Sequence, residues 1–203
     1  IEDIAITRVI PNMVVIAPCD SIEAKKATIA AAKYKGPVYI RFTREKTPVM
    51  TTDETPFEIG KAEIFREGKP ARHASQGDAG GDVTLIGCGP LVYEALKAAE
   101  ELAKEGIEAE VINNHTIKPM DKDTILKSVK KTGCVVTIEE HQAAGGMGSA
   151  VSEILSQNYP APMEIIGVQD RFGESGEPSE LLEKFGLTAK NIAEAVKRVL
   201  KRK

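Results

Sequence analysis

With 203 residues, 42% hydrophobic and 28% charged, the chain has the composition of a globular protein: one large domain, or one domain plus a substantial piece of another. Disordered, collagen-like and disulfide-scaffold classes are excluded. Its 27 basic and 30 acidic side chains give a formal net charge of −3, so no global field favours nucleic acid or an anionic membrane.

The longest apolar runs, 13–17 and 134–138, are far shorter than the roughly 20 residues that span a bilayer. Aromatic residues are few, with no Trp, so the core must be built from Val, Ile, Leu and Ala. Cys19, Cys88 and Cys134 are odd in number, widely spaced and set in apolar runs. That usage suits reduced core thiols in the cytoplasm and offers no metal-ligand spacing. The opening IEDIAITRVIPNM has no initiator Met, basic segment or small-residue cleavage site, so no signal peptide is expected. It reads as a chain entered in mid-domain.

In chain order, the run MVVIA, the Ala-rich SIEAKKATIAAAKY and VYIRF predict strand, helix and strand, with Ser21 as helix cap and Gly36-Pro37 as helix stop. Residues 45–81 change character: FEIGKAEIF predicts one strand or hairpin, and the Gly-, Pro- and Ala-rich stretch after it predicts a mobile loop. From Asp82 the alternation is regular. Strand DVTLIG, a helix over 90–104, strand IEAEVIN, a helix opened by Asp121, strand CVVTIE, a helix over 148–158 and strand MEIIGV follow in turn. Two closing helices come last, PSELLEKF stopped by Gly186 and a final one capped by Thr188. Strands joined by helical crossovers predict an α/β fold with a mostly parallel sheet in a three-layer α/β/α arrangement. Glu108 and Glu110 alternate with Ile107, Ala109 and Val111, which predicts a wetter face on that strand.

Few motifs carry chemistry. Gly87-Cys88-Gly89-Pro90 resembles the start of a dinucleotide fingerprint, but Val92 stands where a third glycine is needed and Pro90 removes an amide. A tight βα turn with Pro at the helix start accounts for it. Gly145-Gly146-Met147-Gly148 feeds a helix and could bind an anion, pack backbone closely or make a dimer contact. His141, at a strand's carboxyl end, and His115 are candidate functional histidines for which packing roles suffice, and His73 falls in the expected mobile loop. No triad is inferred. Arg41 and Arg44 end a strand, on opposite faces if it continues, where a guanidinium can grip phosphate or carboxylate. The terminal KRVLKRK complements a helix dipole as a solvated tail.

The order of segments is more specific than any one of them. IEDIAITRVIPNMVVIAPCDSIEA resembles the last part of the pyrimidine-binding domain of transketolase. FEIGKAEIFREG, DVTLIGCGPLVYEALKAAEEL, TIKPMDKDTI, EEHQAAGGMGSAV and DRFGESGEPSELLEKFGLTAKNI are similar to its interdomain segment and C-terminal domain, with about 68–81 as an insertion. The resemblance implies a partial α/β pyrimidine-binding domain over 1–45, a linker with a short strand and flexible insertion over 46–81, and a C-terminal domain over 82–203.

The resemblance also implies an activity: transfer of a two-carbon ketol unit from a ketose phosphate to an aldose phosphate, within the pentose phosphate pathway. Thiamine diphosphate and Mg²⁺ or Ca²⁺ would be held mainly by residues outside this chain. A substrate-contacting His would stand just before Ile1. The expected partners are phosphorylated sugars, an N-terminal transketolase section or subunit, and a second copy in a homodimer. The family's substrate-phosphate Arg follows a Ser or Thr, and Thr43-Arg44 with Pro48 four residues on matches it, so Arg44 is the expected substrate-binding residue. This span alone is expected to be inactive. Deoxyxylulose-5-phosphate synthase and the β subunit of a 2-oxo-acid dehydrogenase share the domain pair, and a non-catalytic nucleotide-binding or assembly module is the alternative from another class.

Overall fold

The computed structural model describes residues 1–69 and 80–203; the expected flexible insertion and His73 fall largely or wholly outside them. The two sheets follow from the apolar runs. Strands β1 (Val14–Ile16) and β2 (Val38–Ile40) are parallel, joined by helix α2 (Ser21–Lys33). Strand β3 (Glu63–Arg66) lies at the edge of a second sheet. It pairs antiparallel with β5 (Ala109–Asn113), and β4 (Val83–Gly87), β7 (Val135–Gln142) and β8 (Met163–Val168) continue the sheet in parallel, in the order β3-β5-β4-β7-β8.

Successive residues of the central strands are buried on opposite faces, because a strand's side chains alternate and helices cover both sides. Leu85, Val111 and Val136 join the core under α3 (Val92–Lys104) and α7 (Ala189–Leu200). Ile86, Ile112 and Val135 join the core under α4 (Lys122–Thr132) and α5 (Met147–Asn158). A short α6 (Pro178–Lys184) precedes α7. The three-layer α/β/α arrangement expected from the alternation is therefore present.

Two elements were not foreseen. Residues Asp3–Arg8 form a helix, α1, and Thr116–Lys118 form a strand, β6, which pairs antiparallel with β1 and completes a small sheet β2-β1-β6. The wetter face expected at 107–113 is overturned: Glu110 is 1% exposed, because α4 covers it and the long stem of Lys131 delivers an ammonium to its carboxylate. Caps differ as well. Asp20, not Ser21, caps α2 by accepting from the Glu23 amide at 2.8 Å. Thr188 makes no side-chain cap bond to α7: its hydroxyl donates to Asn191, and Glu94 of α3 accepts from the Ala189 amide at 2.8 Å. The helix over 90–104 opens as a 3₁₀ turn at Gly89–Leu91. The basic tail is not simply solvated, since Arg198 and Arg202 pair with Glu164 of β8.

Ala17 closes the seam between the sheets, its amide donating to the His115 carbonyl at 2.8 Å and its carbonyl accepting from the Gly89 amide at 3.0 Å. Beside it the buried Glu23 carboxylate accepts from the Cys19 amide at 2.6 Å and from Asn113 Nδ2 at 2.7 Å. Replacing Glu23 by Ala strands both donors, each worth about 1–3 kcal/mol when buried without a partner. We expect a loss of about 3 kcal/mol, read from the urea midpoint; a midpoint within about 0.5 kcal/mol of wild type contradicts this account of the seam.

Candidate functional site

An open cleft of about 490 Å³ lies between the end of β2 and the C-terminal sheet. The segment 41–48 forms one wall, and Tyr93, Leu181 and Phe185 contribute an apolar wall opposite. Because β2 ends at Ile40, Arg41 and Arg44 are not on opposite strand faces but line the same cleft. They differ in what they touch. Arg41 is clamped by two carboxylates, with Nε 3.2 Å from Asp3 Oδ2 and a terminal nitrogen 3.4 Å from Glu140 Oε2. Tyr39 donates to the same Asp3 at 2.9 Å. Arg44 is exposed, and among the described residues no carboxylate lies within 4.0 Å of it or of Lys46. The cleft thus presents an unpaired guanidinium able to make two parallel bonds to a tetrahedral anion.

The wall returns to the fold through Asp20. Its carboxylate accepts from the amides of Glu23, Met50 and Thr51 at 2.8, 2.7 and 2.6 Å and from the Thr51 hydroxyl at 2.8 Å. Burial pushes the Asp20 pKa up, but these donors outweigh it and hold it below the usual carboxylate range.

The glycine turn at 145–148 carries an anion of its own. Both oxygens of Glu139 accept from the amides that open α5, Met147 at 2.6 Å and Gly148 at 2.8 Å, so of the three readings open for this turn the structure favours close packing, with the amides taken by an internal carboxyl. A Cβ on Gly146 would stand 2.2 Å from Glu139 Oε2, which explains the glycine. On the outer side of the turn α1 docks: Arg8 Nε donates to the Gly145 carbonyl at 2.7 Å and the Ala5 amide donates to His141 Nε2 at 3.4 Å. His141 also bonds the Gln142 carbonyl through Nδ1 at 2.8 Å, the neutral tautomer, consistent with burial lowering its pKa. His115 stacks on Phe57 with ring centroids 4.3 Å apart, and burial lowers its pKa to about 4. Neither histidine faces the Arg44 cleft. At the Gly87 turn, the Gly89 amide is taken by Ala17 and a Cβ on Gly87 would press on Val92, so the turn serves packing.

The described residues show no metal cage or diphosphate cradle of their own. No group of three His, Cys, Asp or Glu side chains among them could hold a metal ion, and the two glycine turns have spent their amides on Glu139 and Ala17. No helix among them is long and apolar enough to cross a membrane, and the three cysteines are free and buried. Sequence reasoning missed Asp20, Asp3, Glu139 and Glu140 as site-building residues. The Pro-x-Asp element was visible, but four donors converging from 23 and 50–51 are a tertiary fact.

Burial pushes Glu139 up to about 7 against the pull of the Gly148 and Met147 amides. The group thus binds its proton more tightly folded than unfolded, where an ordinary value near 4.5 applies. Its contribution to stability is fully present below about 4.5 and is lost as pH rises through about 7. Urea midpoints of wild type and Glu139→Gln should therefore differ in slope between pH 4.5 and 7, with the wild-type fall absent from the variant; parallel profiles refute the assignment.

A family model for the transketolase C-terminal domain matches residues 73–192, and one for the transketolase pyrimidine binding domain matches residues 1–50. A 6-deoxy-6-sulfo-D-fructose transketolase subunit of Clostridium sp. (strain MSTE9) is 46% identical over 202 residues, covering 100% of this chain and 59% of that protein. A putative transketolase C-terminal section of Methanocaldococcus jannaschii is 42% identical, with coverage of 99% and 60%. 1-Deoxy-D-xylulose-5-phosphate synthases also match, at 37 to 40% identity. A solved structure described as a split gene transketolase, inactive beta4 tetramer, superposes with a TM-score of 0.91 at 42% identity over 99% of this chain and 62% of that one. The chain thus spans 59–62% of the length of these first relatives. It belongs to the transketolase family, matching the C-terminal section of that enzyme.

Proposed function

We propose that this chain supplies the substrate-anion wall of a transketolase that moves a two-carbon ketol unit from a ketose phosphate to an aldose phosphate. Residues 1–45 would close a pyrimidine-binding domain, 46–81 would link, and 82–203 would form the C-terminal domain. Thiamine diphosphate and its divalent cation would be bound chiefly by the part of the enzyme that the longer relatives contain and this chain does not span. The observation that carries the reading is the unpaired Arg44 guanidinium on the cleft wall, beside an Arg41 already neutralised by Asp3 and Glu140. Phosphate is the anion we assign to Arg44. The relative named for a sulfo-fructose suggests that a sulfonate, also tetrahedral, fits the same geometry. Pairing of two copies is supported by the relative described as a tetramer and by exposed Ile6, Val9 and Phe172. The buried free thiols fit a reducing cytoplasm.

In the complete enzyme, Arg44→Ala should raise KM for a ketose phosphate about 10- to 100-fold while changing KM for the same unphosphorylated ketose about twofold or less, since only the former loses charge-assisted bonds. Equal effects on the two substrates exclude Arg44 as the anion ligand. The 203-residue chain by itself, given thiamine diphosphate and Mg²⁺, should show no ketol transfer. Turnover by the isolated chain would falsify the division of labour.

A further inference from the structure

The segment carrying Arg44 is fastened at its two ends and nowhere between. At one end the Arg41 amide extends the sheet by donating to the Ile16 carbonyl at 2.8 Å, and its guanidinium is held by Asp3 of α1 and Glu140 of β7. At the other end the amides of Met50 and Thr51 and the Thr51 hydroxyl converge on Asp20, itself fixed as the cap of α2. Residues 42–49 make no hydrogen bond to any described residue. The wall has open space on both sides, the cleft of about 490 Å³ and a second hollow of about 480 Å³ behind Phe42, Thr43 and Lys46.

A segment so placed could swing Arg44 to either side unless its ends hold it, and misplacement by about 1 Å can cost two orders of magnitude in binding or rate. We propose that Arg41 and Asp20 are positioning residues: each staples one end of the 41–51 segment so that the Arg44 guanidinium stands in the cleft where the substrate's terminal anion arrives. The inference rests on the reading of Arg44 as anion ligand and adds two residues to it. Arg41 is cationic and closer to the core than Arg44, yet it is not a second anion ligand, because its own charge is answered by two carboxylates. Asp20 is 4% exposed and spends its carboxylate on four donors, so it acts on substrate only through the segment it holds. The two staples come from different parts of the fold, α2 on one side and α1 with β7 on the other.

The test uses the complete enzyme and compares a ketose phosphate with the same ketose lacking its phosphate. Arg41→Gln and Asp20→Asn should each raise the ratio of the two KM values about tenfold, in the same sense as Arg44→Ala. In an Arg44→Ala background neither should change the ratio further, because a positioning residue has nothing left to position. Should either variant impair folding, a milder cut keeps its staple testable: Glu140→Gln for Arg41, since that carboxylate is 37% exposed, and Thr51→Val for Asp20, which removes one of its four donors. A merely structural role would raise both KM values together, or would add to Arg44→Ala; either result, or an unchanged ratio, overturns the proposal. If Arg44→Ala itself leaves the ratio unchanged, the anion-ligand reading fails and the staples fall with it. If Arg44→Ala shifts the ratio and the staple variants do not, only the positioning role fails.

Discussion

Glu139 is the contact on which the arrangement turns. Its carboxylate is sealed from solvent and shared between the Met147 and Gly148 amides, so the N-terminal end of α5 is fixed against β7 rather than left to bind a solute. The turn that makes this possible cannot carry side chains at 145 or 146, and the bare backbone is what α1 rests on through Ala5 and Arg8. Helix α1 then presents Asp3 to Arg41. A buried carboxylate in one sheet thereby governs, through a glycine turn and a six-residue helix, the placement of a cleft wall in the other.

Much of this was legible in the sequence. The central strands were plain because each is a short, mostly apolar segment set between helices with clean stop signals, and Gly133, left-handed at the end of α4, illustrates one such stop. Helix α1 and strand β6 were not plain. Asp3–Arg8 is too short for its period to stand out and buries only Ile4, while Thr116–Lys118 lies among Asn, His and Pro residues that read equally well as a turn. Both owe their structure to partners far away in sequence. The same blindness explains Glu110, whose alternation with Val111 signals a wet face unless one knows that Lys131 lies above it.

The site divides in the same way. Arg44 could be found from the Thr-Arg-x-x-x-Pro spacing and its likeness to a known family, and nothing in local chemistry distinguished it from Arg41. Only the fold separates them, since one guanidinium is answered by two carboxylates and the other by none among the described residues. At the glycine turn, the sequence left anion binding, close packing and a dimer contact open, and the structure shows close packing. Its composition also suits an anion site, but the acceptor its amides meet is the carboxyl of Glu139, eight residues upstream in the same chain.

The pairing of β1 with β6 has a consequence for how the chain reaches this state. Val15 meets Lys118 across about a hundred residues, so β1 and β2 alone form a two-stranded ribbon with an open edge until the β6 segment pairs with β1. A contact of such sequence separation is slow to form because the loop must close before it is rewarded. Completion of the small sheet is thus tied to the larger one, since the strand that covers the open edge of β1 comes from the segment that follows β5.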